Sequence, residues 1–289
     1  LIGLLSLILA ISAGILVRQE LVGSMKFGVI SKTMLFLAEI PKNLKTILEN
    51  VDPLATKVER FPNFSGFKGE PHSEELYLLL ARFDGDKKKP VVELVDLRSF
   101  EVKFLWQPDV SKINSLVDKS FSNFENLVVS TYTIRHPFLT EDGGLIFNSD
   151  YFPQVKIDKN SKLVWQNYDY MFHHSNEQDY DGNLWVPTSS INPKQIDKKY
   201  FGLNRYRDDQ ITKMSLDGKI LFQKSVTEIL LENNLSFLLF PAGISPHGGT
   251  VTFDPIHLND IQPVLNDGPN WKRGDVFLSL RHLSLVILY

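Results

Sequence analysis

Seven histidines and no cysteine set the chemical repertoire of this chain. Without thiols there is no disulfide, no thiolate nucleophile and no Cys-ligated zinc or iron–sulfur site. Two polar side chains stand out towards the C-terminal end. His257, in Ile256-His-Leu-Asn259, comes just before a loop, and Arg281 lies in the apolar run Val276-Phe-Leu-Ser-Leu-Arg-His-Leu-Ser284. Strand alternation sends Arg281 and His282 to opposite faces. A buried arginine needs an anion, and its planar fork suits a tetrahedral oxyanion. A bound sulfate or phosphate is therefore the chemistry this pair would serve; the alternative is a structural ion pair with an Asp or Glu.

The other histidines are placed with some regularity. His136 precedes the Asp-Gly turn near 142, His173 and His174 precede the one at 181, and His257 precedes the Gly-Asp pair at 274. Equivalent positions in a repeated unit would converge them on one axis, a concentrated site. The competing reading is a polar residue that the geometry of the unit favours. Glu177, Asp179 and Asp260 raise the question of a metal, but no His-x-x-x-His spacing occurs and no metal or other cofactor is assigned. Pro246-His-Gly-Gly-Thr250 lacks the context of a phosphate-binding loop, and Gly-x-Ser-x-Gly, His-Glu-x-x-His and calcium-loop patterns are missing from the sequence.

Short strands and turns from about Glu75 onward must position these residues. Residues 93–107, 154–166 and 211–223 each read as strand, polar turn, strand, ending in an aromatic residue and Gln. Residues 140–147, 179–186 and 272–279 each run from a Gly-containing turn into an apolar strand. A sheet unit recurring every ~40–60 residues marks a β-propeller, with a β-sandwich as the alternative. Residues 187–209 read as a polar insertion between strands. Residues 226–244 read as a second insertion, opening with a short helix that ends at Asn.

The first 17 residues carry no charge. At ~1.5 Å per residue they reach roughly 25 Å, just short of a ~30 Å hydrocarbon core. They read as a transmembrane anchor or signal segment. Residues 18–74 read as a helical stalk and irregular linker, with Pro41 a break or a new helix start. Residues 75–289 form a partial propeller domain. A net charge of −3 gives no footprint for nucleic acid. The expected location is membrane-anchored and extracytoplasmic.

Three segments carry a resemblance: Phe172-His-His-Ser with Asp181-Gly-Asn-Leu-Trp, Ile256-His-Leu-Asn-Asp-Ile-Gln-Pro-Val, and Gly274-Asp-Val-Phe-Leu-Ser-Leu-Arg-His-Leu-Ser. In these the chain resembles the arylsulfotransferase family of six-bladed propellers, over residues 75–289. The resemblance implies sulfuryl transfer from an aryl sulfate to a phenol through a sulfohistidine, without a nucleotide donor. It implies that His257 donates to the transferred group, that Arg281 neutralises its oxygens, and that His173 or His174 completes the cradle. Asn259 and His136 are the expected substrate contacts. The family's nucleophilic His lies in a later blade, and none of the seven matches it, so a C-terminally truncated, inactive copy of an active parent is expected. The other readings are a non-catalytic propeller binding a sulfated or anionic ligand, and a quinone-dependent dehydrogenase. The last requires a docking tryptophan in every blade, where only Trp106 and Trp165 come near.

Overall fold

The computed structural model describes residues 2–21, 27–48, 66–67, 69–117, 132–149, 152–191, 207–239 and 254–289. Two compact units are present: residues 1–69 with 243–253, and residues 70–242 with 254–289.

The first unit contains α1 (Ile2–Leu21) and α2 (Val29–Leu48), which pack together. Leucine and isoleucine build α1 with no polar face, and Leu4, Leu5, Leu7, Ile8 and Leu9 are exposed. Among the described residues no helix is long and apolar enough to cross a membrane, so the expected spanning anchor is not supported. Pro41 does not break α2 either. It lies at an exposed position, where the carbonyl it leaves unpaired can meet solvent. Of the expected irregular linker, residues 49–65 lie outside the described residues.

The second unit is mainly β and antiparallel. Its first sheet is β1 (Tyr77–Asp84), β2 (Lys89–Asp96) and β3 (Glu101–Trp106). The second runs through β4 (Arg135–Leu139), β5 (Leu145–Asn148), β6 (Phe152–Ile157), β7 (Leu163–Phe172), β9 (Leu184–Ile191), β10 (Arg207–Met214) and β11 (Ile220–Ser225). The short β8 (Glu177–Gln178) pairs with β9. The third is β12 (Leu258–Pro263), β13 (Val276–Leu280) and β14 (Leu285–Leu288). Among the described residues none of the three closes on itself.

The middle sheet is two four-stranded meanders joined at one point. Between them, β7 and β9 pair only through Met171 with Ser189 and Phe172 with Thr188. The sequence repeats fall at equivalent places: residues 93–107, 154–166 and 211–223 are the hairpins β2–β3, β6–β7 and β10–β11. Several of the hairpin turns share one geometry. At Thr140–Gly144, Asp179–Asn183 and Ser215–Lys219 the first N–H reaches the fifth carbonyl, and a glycine supplies the positive φ (Gly143, Gly182, Gly218).

Side-chain alternation feeds successive apolar layers. On β5, Leu145 and Phe147 join a core with Val92, Trp106 and Ile157, while Ile146 points to a core with Phe172, Leu184, Val186 and Met214. On β9 and β10, Trp185 and Ile211 turn to a third core with Leu230, Leu258, Ile261 and Leu278. Strands buried on both faces read as continuous apolar runs, as at Leu145-Ile-Phe147. Two tryptophans tie neighbouring layers through polar contacts. Trp106 Nε1 donates to the Gly143 carbonyl at 3.0 Å, and Trp165 Nε1 to that of Leu216 at 3.2 Å.

Two α-helices and a 3₁₀ helix (Ser236–Leu239) complete the unit among the described residues. The first, α3 (Val110–Ser115), is capped by Asp109, which accepts from the Lys112 N–H at 3.0 Å. The second, α4 (Val226–Glu232), is the expected short helix, capped by Ser225, which accepts from the Glu228 N–H at 3.1 Å. The insertion expected at residues 187–209 is shorter than the sequence implied, because β9 continues through Pro187 to Ile191 and β10 begins at Arg207. The segment around His247 lies outside the described residues.

Candidate active site

Three of the expected histidines share an unusual backbone. His136, His174 and His257 have φ of 34°, 58° and 56°, a region that non-glycine residues seldom occupy. Each stands where the chain enters a meander: His136 within β4, His174 just before β8 and His257 just before β12. Strained backbone of this kind costs of order 1–3 kcal/mol and persists where surrounding structure enforces it.

His174 and His257 come together. Their rings stand edge to face, with centroids 5.3 Å apart. His173 is buried, with its Nδ1 3.0 Å from that of His174. Of the histidine pair, His174 is therefore the member that meets His257, and His173 stands behind it. His136 is exposed, and no hydrogen bond or ring contact among the described residues ties its imidazole to this group. Its carbonyl accepts from Asn176 Nδ2 at 2.9 Å.

Arg281 is not on a strand. β13 ends at Leu280, and residues 281–284 form a turn. The expected opposite orientation of Arg281 and His282 is corrected accordingly. The N–H groups of Arg281 and His282 reach the carbonyls of His257 and Ile256, at 3.0 and 3.1 Å. Both side chains then serve the same segment: Arg281 Nη1 lies 3.3 Å from His257 Nε2, and His282 Nδ1 lies 2.5 Å from the Asp254 carbonyl.

Asp254 organises this group. Its Oδ2 meets His257 Nδ1 at 2.5 Å and Arg207 Nη1 at 3.3 Å. Burial alone would push this carboxyl up. The His257 hydrogen bond and the charges of His257, Arg207 and His282 outweigh burial and hold it below its ordinary value. An ionised Asp254 only accepts, so His257 carries its proton on Nδ1. Arg281 only donates, so His257 Nε2 offers it a lone pair. The result is an oriented imidazole with a basic Nε2, whose protonated form Asp254 stabilises.

A second carboxylate lies behind the other pair. Asp209 is buried; its Oδ2 accepts from the Leu258 N–H at 2.7 Å, and its Oδ1 faces His173 Nε2 across 3.5 Å. The adjacent Asp208 points the other way and accepts from the hydroxyls of Ser225 and Thr227 at 2.8 and 2.9 Å. Asn259 occupies a bulge in the pairing of β12 with β13, and its Oδ1 is buried without a hydrogen-bond partner.

Asp254, His257 and His282 place one ligand atom each within 4.8 Å of one another, so they could in principle hold a metal ion. The neighbouring guanidinium groups of Arg207 and Arg281 disfavour a cation there and favour an oxyanion. Sequence reasoning missed Asp254, Asp209, Arg207 and the role of His282. The Asp254-Pro-Ile-His257 spacing was the available signal for Asp254. Asp209 and Arg207 meet the site only through distant pairing and left no local signature.

No curated protein matches this chain. Residues 138–289, more than half of it, match the arylsulfotransferase (ASST) family model. The matched span takes in His173, His174, His257, Asn259 and Arg281 but not His136. The chain belongs to the arylsulfotransferase family.

Proposed function

We propose that this chain holds the sulfuryl group of aryl sulfates in transfer to phenols through His257, Arg281 and His174, while the family's nucleophilic His is matched by none of its seven histidines. The observation that carries the reading is the Asp254–His257–Arg281 arrangement, a basic nitrogen beside a guanidinium at 3.3 Å. As the ester S–O bond breaks, charge gathers on the sulfuryl oxygens and on the leaving phenolate oxygen. Arg281 neutralises the former, and protonated His257 donates to the group through Nε2. The leaving phenolate takes the proton that His257 Nε2 donates, and the acceptor phenol returns a proton to Nε2 as its oxygen forms the new S–O bond. In the family this passes through a sulfohistidine, where an S–N bond forms and is then broken by the acceptor. His174 completes the cradle, Asn259 contacts substrate from its bulge, and His136 lies further out on the substrate side.

The reading also takes the two outer sheets and the two meanders of the middle sheet as blades of a propeller. The two meanders, the alternating apolar layers and the tryptophan contacts between layers support it.

The test is release of phenol from an aryl sulfate such as 4-nitrophenyl sulfate in the presence of a second phenol, with the sulfated acceptor identified by mass. Release that depends on acceptor, and protein heavier by one sulfuryl group without it, support transfer through a covalent intermediate. Saturable binding of the ester without turnover supports a non-catalytic anion-binding domain instead.

A further inference from the structure

We propose that Asp209 is a positioning residue that sets the protonation pattern of the His173–His174 pair and fixes it relative to His257. The inference rests on the reading of His174 as a site residue.

Asp209 is almost wholly buried, and its carboxylate touches both halves of the site. Oδ2 accepts from the N–H of Leu258, the residue after His257, across 49 residues of sequence. That bond holds the start of β12 where His257 adopts its left-handed backbone. Oδ1 faces His173 Nε2 at 3.5 Å. A ring nitrogen lone pair aimed at a buried carboxylate would be repelled, so the proton belongs on Nε2. The separation exceeds the ~2.7–2.9 Å of a charge-assisted hydrogen bond. Neutral His173 with Nε2–H has a lone pair on Nδ1. Across the 3.0 Å Nδ1–Nδ1 contact, His174 must then be the donor. His174 is left with its proton on Nδ1 and a basic Nε2. A single carboxylate therefore prepares His174 as a proton acceptor while anchoring the backbone of His257.

Replacement by asparagine makes a sharp test. Asp209→Asn can still accept from Leu258 N–H but presents an amide donor to His173 Nε2. His173 must then hold its proton on Nδ1, and His174 must move its own to Nε2. Long-range ¹⁵N–¹H NMR on the ¹⁵N-labelled chain, with histidine replacements for assignment, reads these tautomers directly. The expected result is Nε2–H on His173 and Nδ1–H on His174 in the wild type, both inverted in Asp209→Asn, with turnover of an aryl sulfate falling on the order of 10²-fold or more. Nε2–H on His174 in the wild type, or unchanged tautomers in the variant, overturns the proposal. If Asp209→Asn fails to fold, the wild-type spectrum decides alone. Inverted tautomers with no turnover in either protein would leave the positioning role standing and remove the transferase reading.

Discussion

His174 and His257 meet edge to face at 5.3 Å, although they belong to different sheets, and both hold a left-handed backbone. The likeness is positional: each is the residue at which the chain turns into the first strand of its meander. Bringing such residues together requires the layers to present the same end to one another. The His173–Asp209–Leu258 contacts serve that purpose.

His257→Ala is expected to lower kcat/KM for an aryl sulfate by about 100-fold or more, because it removes a donor aimed at the transferred group. Arg281→Lys keeps the charge but loses the planar fork, and a loss of at least about tenfold is expected. Arg281 is partly exposed, so thermal unfolding of Arg281→Lys should be nearly unchanged, whereas His257→Ala also loses the Asp254 bond and should unfold at a lower temperature. Steady-state kinetics beside a melting curve separate the two effects; full activity in Arg281→Lys would remove Arg281 from the site.

Asp254→Asn should lower kcat on the order of 10²–10⁴-fold, since a neutral amide neither fixes the His257 tautomer nor stabilises its protonated form. The same carboxyl is held below its ordinary value in the fold. A depressed acid contributes stability above its unfolded pKa and loses it as pH falls through the folded one. The wild type should therefore lose stability below about pH 4 more steeply than Asp254→Asn, as urea midpoints between pH 3 and 6 would report.

Much of this is legible in the sequence, and the reasons are local. Hairpin periodicity at residues 154–166 and 211–223 depends on neighbouring residues, and so does the Asp-Gly turn before Leu184. The phase of the repeat brings His174 and His257 to equivalent entries. What stays hidden depends on where elements end or on distant pairing. The apolar run through Leu280 extends the strand pattern one residue too far, to Arg281, which reverses the side assigned to His282. Pro187 reads as a boundary, yet its carbonyl accepts from the His173 N–H at 3.1 Å inside the sheet. Asp209 carries no local mark, because its partners come from β12 and the end of β7.

Trp165 provides a test of the packing between layers. Its Nε1 donates to Leu216, Asn167 Nδ2 donates to the Gly218 carbonyl at 2.9 Å, and a methyl group at Gly218 would sit 3.1 Å from the indole. Gly218 also has a φ of 88°. Gly218→Ala is expected to cost about 1–3 kcal/mol, combining backbone strain with displacement of the ring. Trp165→Phe, which removes the hydrogen bond but keeps an aromatic ring, should cost about 1 kcal/mol. Denaturant titrations give both numbers, and a neutral Gly218→Ala would show that the indole moves aside freely.

Asp208 should make the fold less stable as pH rises, the reverse of Asp254. Burial pushes its carboxyl up to about 7, against the lowering effect of the Ser225 and Thr227 hydroxyls, with the negative charges of Asp209 and Glu228 adding to the rise. The folded protein then holds a proton that the unfolded chain releases near its ordinary value of 3.8. Between those two values the native state binds more protons, so stability falls as pH rises and levels off above about 7. The gap between 3.8 and about 7 caps the loss at about 4 kcal/mol. Asparagine at this position can still accept from both hydroxyls but never ionises. Asp208→Asn should therefore match the wild type near pH 4 and exceed it increasingly up to about pH 7, with a steady gap above that. Urea midpoints of both proteins across that range decide the matter: a constant difference between them would mean that Asp208 is already ionised in the fold at pH 4.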